Sequence, residues 1–91
     1  MTETIRARTL MKALELCDDG GDRNVEYGPP SENFGRCAAM WSAYFGQEFT
    51  ARDVAMMMAL LKISRIAANP SGAGMDSFID LAAYASISAE V

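Results

Sequence analysis

Residues 54–68 read VAMMMALLKISRIAA, and twelve of these fifteen positions are apolar. At helical periodicity Val54, Met57, Met58 and Leu61 share one face, while Met56, Leu60, Ile63 and Ala67 share another. A helix that is apolar nearly all round is expected to be buried nearly all round. Thr50 followed three residues later by Asp53 resembles a capping box and sets the start of this helix. The neighbouring segments must therefore supply its cover.

Upstream, Ser31 stands as an N-cap before Phe34, Cys37, Ala38, Trp41, Tyr44 and Phe45, which follow a 3.6-residue period up to the breaker at Gly46. Arg23 to Pro30, with Tyr27, Gly28, Pro29 and Pro30, cannot continue a helix and reads as an ordered loop. Before it, Leu10, Leu14 and Cys17 recur at helical spacing from Thr4 onward, until Asp18, Asp19, Gly20, Gly21 and Asp22 stop the pattern. Downstream, residues 69–74 form a break after which Asp76 or Ser77 caps a last helix running through Phe78, Ile79, Ala82, Ala83 and Ala85. The reading is one all-α domain over residues 1–91, a compact bundle of about four helices with short connections.

Ala82, Ala83, Ala85, Ser86 and Ala89 give the last helix a surface of small side chains that allows close approach but buries little area. Three helices of this size cannot easily cover the whole circumference of the apolar one. A homo-oligomer is therefore expected, a dimer built on the methionine-rich face of the third helix.

Composition narrows the function. The 91 residues carry 51% hydrophobic and 22% charged side chains and a net charge of −4. That balance lies far from the disordered range. The eight Lys and Arg residues are scattered, which disfavours nucleic acid, whose binding rests on phosphate neutralisation by a basic patch. No apolar run approaches the roughly 18 residues that cross a bilayer, and the polar opening Thr2, Glu3, Thr4 carries no export signal. A cytoplasmic, reducing setting is expected, with Cys17 and Cys37 as small buried hydrophobes. Histidine is absent, which removes the Ser-His-Asp and Cys-His mechanisms and the common zinc sites.

The candidates for chemistry lie late in the chain. Lys62 and Arg65 interrupt the apolar run three residues apart, and Asp76, Asp80 and Tyr84 form one stripe at the start of the last helix. One reading is structural, with Lys62 or Arg65 neutralising Asp80 at the edge of the core. The other is a pocket for a phosphorylated small molecule. There the cations bind phosphate, the carboxylates hold hydrated Mg²⁺, and Tyr84 or Trp41 offers an aromatic face to a base. In the proline-stiffened loop, Ser31 and Glu32 are explained by helix-start chemistry, whereas Tyr27 and Asn33 are not and join the ligand-binding candidates. Trp41, Tyr44 and Phe45 form an aromatic stripe that reads first as core.

The segments RNVEYGPPSENFGR (23–36), WSAYFG (41–46), DVAMMMALLKISRIA (53–67) and DSFIDLAAYA (76–85) resemble a family of short uncharacterised proteins from phages and prophages. The resemblance covers about residues 23–85 and leaves helix one outside. Its recurrent positions fall on Tyr27, Gly28, Glu32, Asn33, Trp41, Lys62, Arg65, Asp76, Asp80 and Tyr84. The all-helical pattern is similar to that of the MazG-like nucleoside triphosphate pyrophosphohydrolases, which are oligomeric bundles with clustered Mg²⁺-binding carboxylates. That similarity implies nucleotide handling, with Lys62, Arg65, Tyr84, Tyr27 and Asn33 on the ligand and Asp76, Asp80 and Glu32 on a metal. The paired-glutamate motif of those enzymes is missing here.

Three functions follow as expectations. The first is a small phage-type protein that binds a nucleotide and hydrolyses it with Mg²⁺. The second is a non-catalytic anti-defence protein that sequesters a cyclic nucleotide signal. The third is a protein that binds and inhibits a host defence protein.

Overall fold

The computed structural model describes residues 3–18, 27–72 and 74–91. In chain order its helices are α1 (Ile5–Cys17), α2 (Pro30–Phe45), α3 (Ala51–Ala68) and α4 (Met75–Glu90), and the described residues contain no strand. The expected loop over residues 23–30 lies outside the described residues as far as residue 26.

The longest helix starts where the sequence places it. Thr50 Oγ1 accepts the Asp53 N–H at 3.1 Å, and Asp53 Oδ2 accepts the Thr50 N–H at 2.8 Å. This reciprocal pair satisfies two backbone donors that a helix start would otherwise leave open. Ser42 fastens the connection into α3, its Oγ accepting the Phe49 N–H at 2.9 Å. Gly46 closes α2 in the left-handed region, at φ 66°, and donates to the Ser42 carbonyl at 2.9 Å.

Two helix starts differ from expectation. Ser31 does not cap α2, because Pro30 already occupies the first helical position and the Pro29 carbonyl accepts the Glu32 and Asn33 N–H groups at 3.0 Å. Proline suits that position, its ring fixing a helical φ where no N–H is needed. Neither Asp76 nor Ser77 caps α4. Gly74 is the capping residue, and Asp76 sits within the first turn, where its charge complements the helix dipole.

Small residues decide the packing. Helix α4 lies along α3, α1 packs on α4, and α2 packs on α3. The buried apolar set is Ala13, Ala38, Val54, Ala55, Ala59 and Ala83. At the far end of the α3/α4 pair, Arg52 Nε donates to the Ser88 carbonyl at 3.0 Å, tying the start of α3 to the end of α4.

The expectation that α3 is buried nearly all round is not met within one chain. Its inward stripe is Val54, Ala55, Ala59 and Lys62, whereas Met56, Met57, Leu60, Leu61 and Ile63 are exposed. Helix α1 likewise turns Ala13 inward and leaves Leu10 and Leu14 exposed, and Tyr44 and Phe45 are surface residues rather than core. Cys17 and Cys37 are half-buried rather than core. The cause is shape. The chain measures 49 × 32 × 20 Å, and 20 Å is about two helix diameters. In so thin a slab each helix has an outer face, and close contact between backbones is achieved by alanines, which leaves the larger apolar side chains outside.

Thr50→Ala is expected to lower the unfolding free energy by about 1 kcal/mol, while Thr50→Ser keeps it, as read from urea unfolding followed by circular dichroism.

Candidate functional site: a cleft over a buried ion pair

Positions 55, 59 and 62 fall on the inward stripe of α3, so the side chain that follows two buried alanines along it is a lysine. Lys62 reaches α4 and meets Asp80, Nζ to Oδ2, at 3.0 Å. The two side chains keep only 11% and 18% of their exposure. Removing two charges from water is costly, and here each supplies the other's compensation.

Beside this pair opens a cleft of about 380 Å³. Tyr27 and Gly28 line it from the segment entering α2, Pro30, Asn33 and Phe34 from the beginning of α2, and Ala83, Tyr84 and Ile87 from α4, with Leu16 of α1. Phe34 and Tyr84 stack against each other in its lining, with ring centroids 6.2 Å apart and an interplanar angle of 29°. The entering segment is held by Arg36, whose Nη2 donates to the Tyr27 carbonyl at 3.1 Å. Gly28 adopts a φ of 83°, in the left-handed region, and a Cβ there would lie 3.2 Å from Glu32 Oε2. Glycine is thus required on conformational grounds and gives Glu32 room.

Of the residues the sequence singles out, the structure gathers Tyr27, Asn33, Lys62, Asp80 and Tyr84 around one cleft. Four others lie elsewhere. Arg65 is exposed, does not line the cleft and has no ion pair among the described residues, because it projects from α3 away from the inward stripe. Asp76 is exposed, facing a separate shallow depression bounded by Lys12, Glu15, Leu16, Ile79 and the other side of Asp80. Glu32 is exposed beside Gly28. Trp41 sets its edge against Phe49 at 6.2 Å and borders a groove between α2 and α3 instead of the cleft.

The structure does not bring Asp76, Asp80 and Glu32 to one place. Among the described residues no three acidic, cysteine or histidine side chains lie close enough to hold an ion, and Asp80 is the single carboxylate of those residues that lines the cleft. The expected convergence of two cations and two acids reduces to one cation and one acid.

Sequence reasoning missed Phe34 and Arg36 as parts of the site. Phe34 was legible only as a member of the apolar stripe of α2, and its role appears once Tyr84 is placed against it. Arg36 acts through a backbone carbonyl, which leaves no mark in a sequence pattern.

Residues 8–91 match the model of the domain of unknown function DUF6378. The chain belongs to the DUF6378 family. The match takes in most of α1, so helix one lies inside the family's region rather than outside it. Two phage relatives are similar to this DUF6378 chain. The Gene 55 protein of Mycobacterium phage L5 is 47% identical over 68 residues, 74% of this chain and 42% of the relative. The Gene 55 protein of Mycobacterium phage D29 is 45% identical over 65 residues, 71% of this chain and 42% of the relative. The chain thus spans less than half the length of the curated relatives it matches. No solved structure matches it. Among the described residues no helix is long and apolar enough to cross a membrane.

Lys62→Met, which strands the Asp80 carboxylate, is expected to destabilise the DUF6378 fold by about 3 kcal/mol, and Lys62→Met with Asp80→Leu to recover most of that loss. Chemical denaturation of the two single variants and the double variant reads the coupling directly; simple additivity would show that the pair is not an energetic unit.

Proposed function

We propose that the cleft binds one phosphorylated ligand of mononucleotide size and holds it without cutting it. The observation that carries this reading is the juxtaposition, in one opening, of a buried ammonium with a stacked aromatic pair. An ammonium has three N–H donors, and the bond from Lys62 to Asp80 uses one of them. Two remain for phosphate oxygens. Tyr84, half-buried and backed by Phe34, offers a flat face to a base, and the Asn33 amide can both donate to and accept from a base edge. The volume of about 380 Å³ lies near the lower end of the roughly 300–1,000 Å³ typical of small-molecule sites, which suits one nucleotide rather than two.

The similarity of the helical pattern to the MazG-like pyrophosphohydrolases supports a nucleotide as the ligand class. Their chemistry is not part of the proposal, because metal-assisted cleavage needs clustered carboxylates and the described residues give this cleft Asp80 alone. Binding without cleavage is the form the side chains favour. The similarity to phage proteins supports an infected host cell as the setting, and the role proposed there is sequestration of a nucleotide, a cyclic mononucleotide signal included.

The test is a thermal-shift panel of nucleoside mono-, di- and triphosphates and cyclic mononucleotides, with Mg²⁺ or with EDTA. A ligand present at one hundred times its Kd adds about 2.7 kcal/mol of stability, which for a chain of this size raises Tm by roughly 10 °C. The rise is expected to persist in EDTA, the ligand to be recovered intact, and Tyr84→Ala and Asn33→Ala each to weaken binding at least tenfold. No shift anywhere in the panel, or release of pyrophosphate, would contradict the proposal.

A further inference from the structure

We infer that two copies of this chain associate through the outward face of α3 and the adjoining end of α2. The association is independent of ligand binding in the cleft, because the residues concerned lie on the side of α3 away from Lys62.

Along α3 the outward positions Met56, Met57, Leu60, Leu61, Ile63 and Ser64 carry no charge, and the exposed Asp53 lies on the same face at the helix start, one turn before Met57. Leu60 is 61% exposed, Leu61 43% and Met57 41%. The face continues onto α2 through an apolar groove shared by Met40, Trp41, Tyr44, Phe45 and Met57, in which Met40 is 69% exposed and Tyr44 81%. Taking about 200 Å² for a large side chain, the exposed fractions of Met40, Tyr44, Phe45, Met57, Leu60 and Leu61 amount to roughly 700 Å². Met56 and Ile63 flank them. That exceeds the about 300–600 Å² of the largest patch on an ordinary monomer and matches the about 800 Å² that each partner contributes to a standard stable interface.

Charge favours a second copy over a partner of different chemistry. A chain of net charge −4 repels its own kind least where its surface is neutral, and the stretch of this face from Met56 to Ser64 is neutral. A cationic partner would find on α3's outward face Asp53 alone, at the helix start and already engaged with the Thr50 N–H in the capping box. An isologous dimer places the same apolar stripe on both sides and needs no charge complement. Helix α1 also exposes Ile5, Leu10, Met11 and Leu14, but Arg6 borders that stripe on one side and Arg8, Lys12 and Glu15 on the other, and by the same estimate it offers only about 500 Å², within the range of an ordinary monomer.

The experiment is sedimentation equilibrium of the 91-residue chain between about 1 and 100 μM, a range bracketing the concentrations at which interfaces of this size assemble. A mass twice that of the chain is expected. Leu60→Glu and, separately, Tyr44→Glu are expected to halve it with helicity retained, since both side chains are exposed within one copy. Leu10→Glu on α1 is expected to leave the doubled mass unchanged. A monomer throughout the range would overturn the inference. So would a dimer that survives both α2/α3 variants or dissociates only on Leu10→Glu. If Leu60→Glu loses its helicity, Tyr44→Glu at the opposite edge of the face decides between the two outcomes.

Discussion

The ion pair between Lys62 and Asp80 is the constraint on which the arrangement of helices turns. Helix α4 rests on α3 through alanines and Val54, side chains that permit close approach but withdraw little surface from water. Such a contact has little to set its register. A buried charge changes that, because a lysine without its carboxylate would be left desolvated and uncompensated. The 3.0 Å contact therefore fixes which turn of α4 faces which turn of α3. With Arg52 bonded to the Ser88 carbonyl at the other end, the antiparallel pair is pinned at two points. Once α4 is set, Tyr84 falls one turn beyond Asp80 and meets Phe34 of α2. The cleft is the space left between these anchors.

The two faces of α3 differ in what they present. The inward stripe carries the small residues and Lys62 and faces α4 and the cleft. The outward stripe carries methionines and leucines and faces away from both. A single amphipathic helix has one sticky side. This one has two, which is why its sequence is apolar nearly all round while one chain buries only the stripe of Val54, Ala55, Ala59 and Lys62. Substitutions on one stripe can consequently be made without disturbing the other.

Much of this was legible in the residues. Thr50 and Asp53 announce a helix start through paired side-chain and backbone groups that act locally, so no tertiary information is needed to read them. Lys62 stands out because a charge amid apolar residues demands a partner, and Asp80 and Tyr84 follow from helical spacing alone. What could not be read is which apolar side faces inward. Leu10, Leu14, Tyr44 and Phe45 satisfy the helical period and are nonetheless exposed, because in a thin bundle alanines win the inner positions by allowing backbones to approach. Periodicity ranks side chains by hydrophobicity, whereas close packing here ranks them by size. The placing of the acids was legible only in part, for a related reason. Spacing places Asp76 and Asp80 on one helix stripe, and both border one depression that α1 completes with Lys12, Glu15 and Leu16, but only Asp80 also reaches the cleft, which depends on a different part of the chain.

The most direct test of the central claim, that the opening beside Lys62 and Asp80 is a ligand site, is residue-resolved NMR during titration with nucleoside monophosphates in EDTA. Saturable chemical-shift changes are expected to centre on Asn33, Phe34, Lys62 and Tyr84, with the Lys62 ammonium protected from exchange when ligand is bound. Changes centred instead on Met40, Tyr44 and Met57, or none at all at millimolar nucleotide, would contradict it.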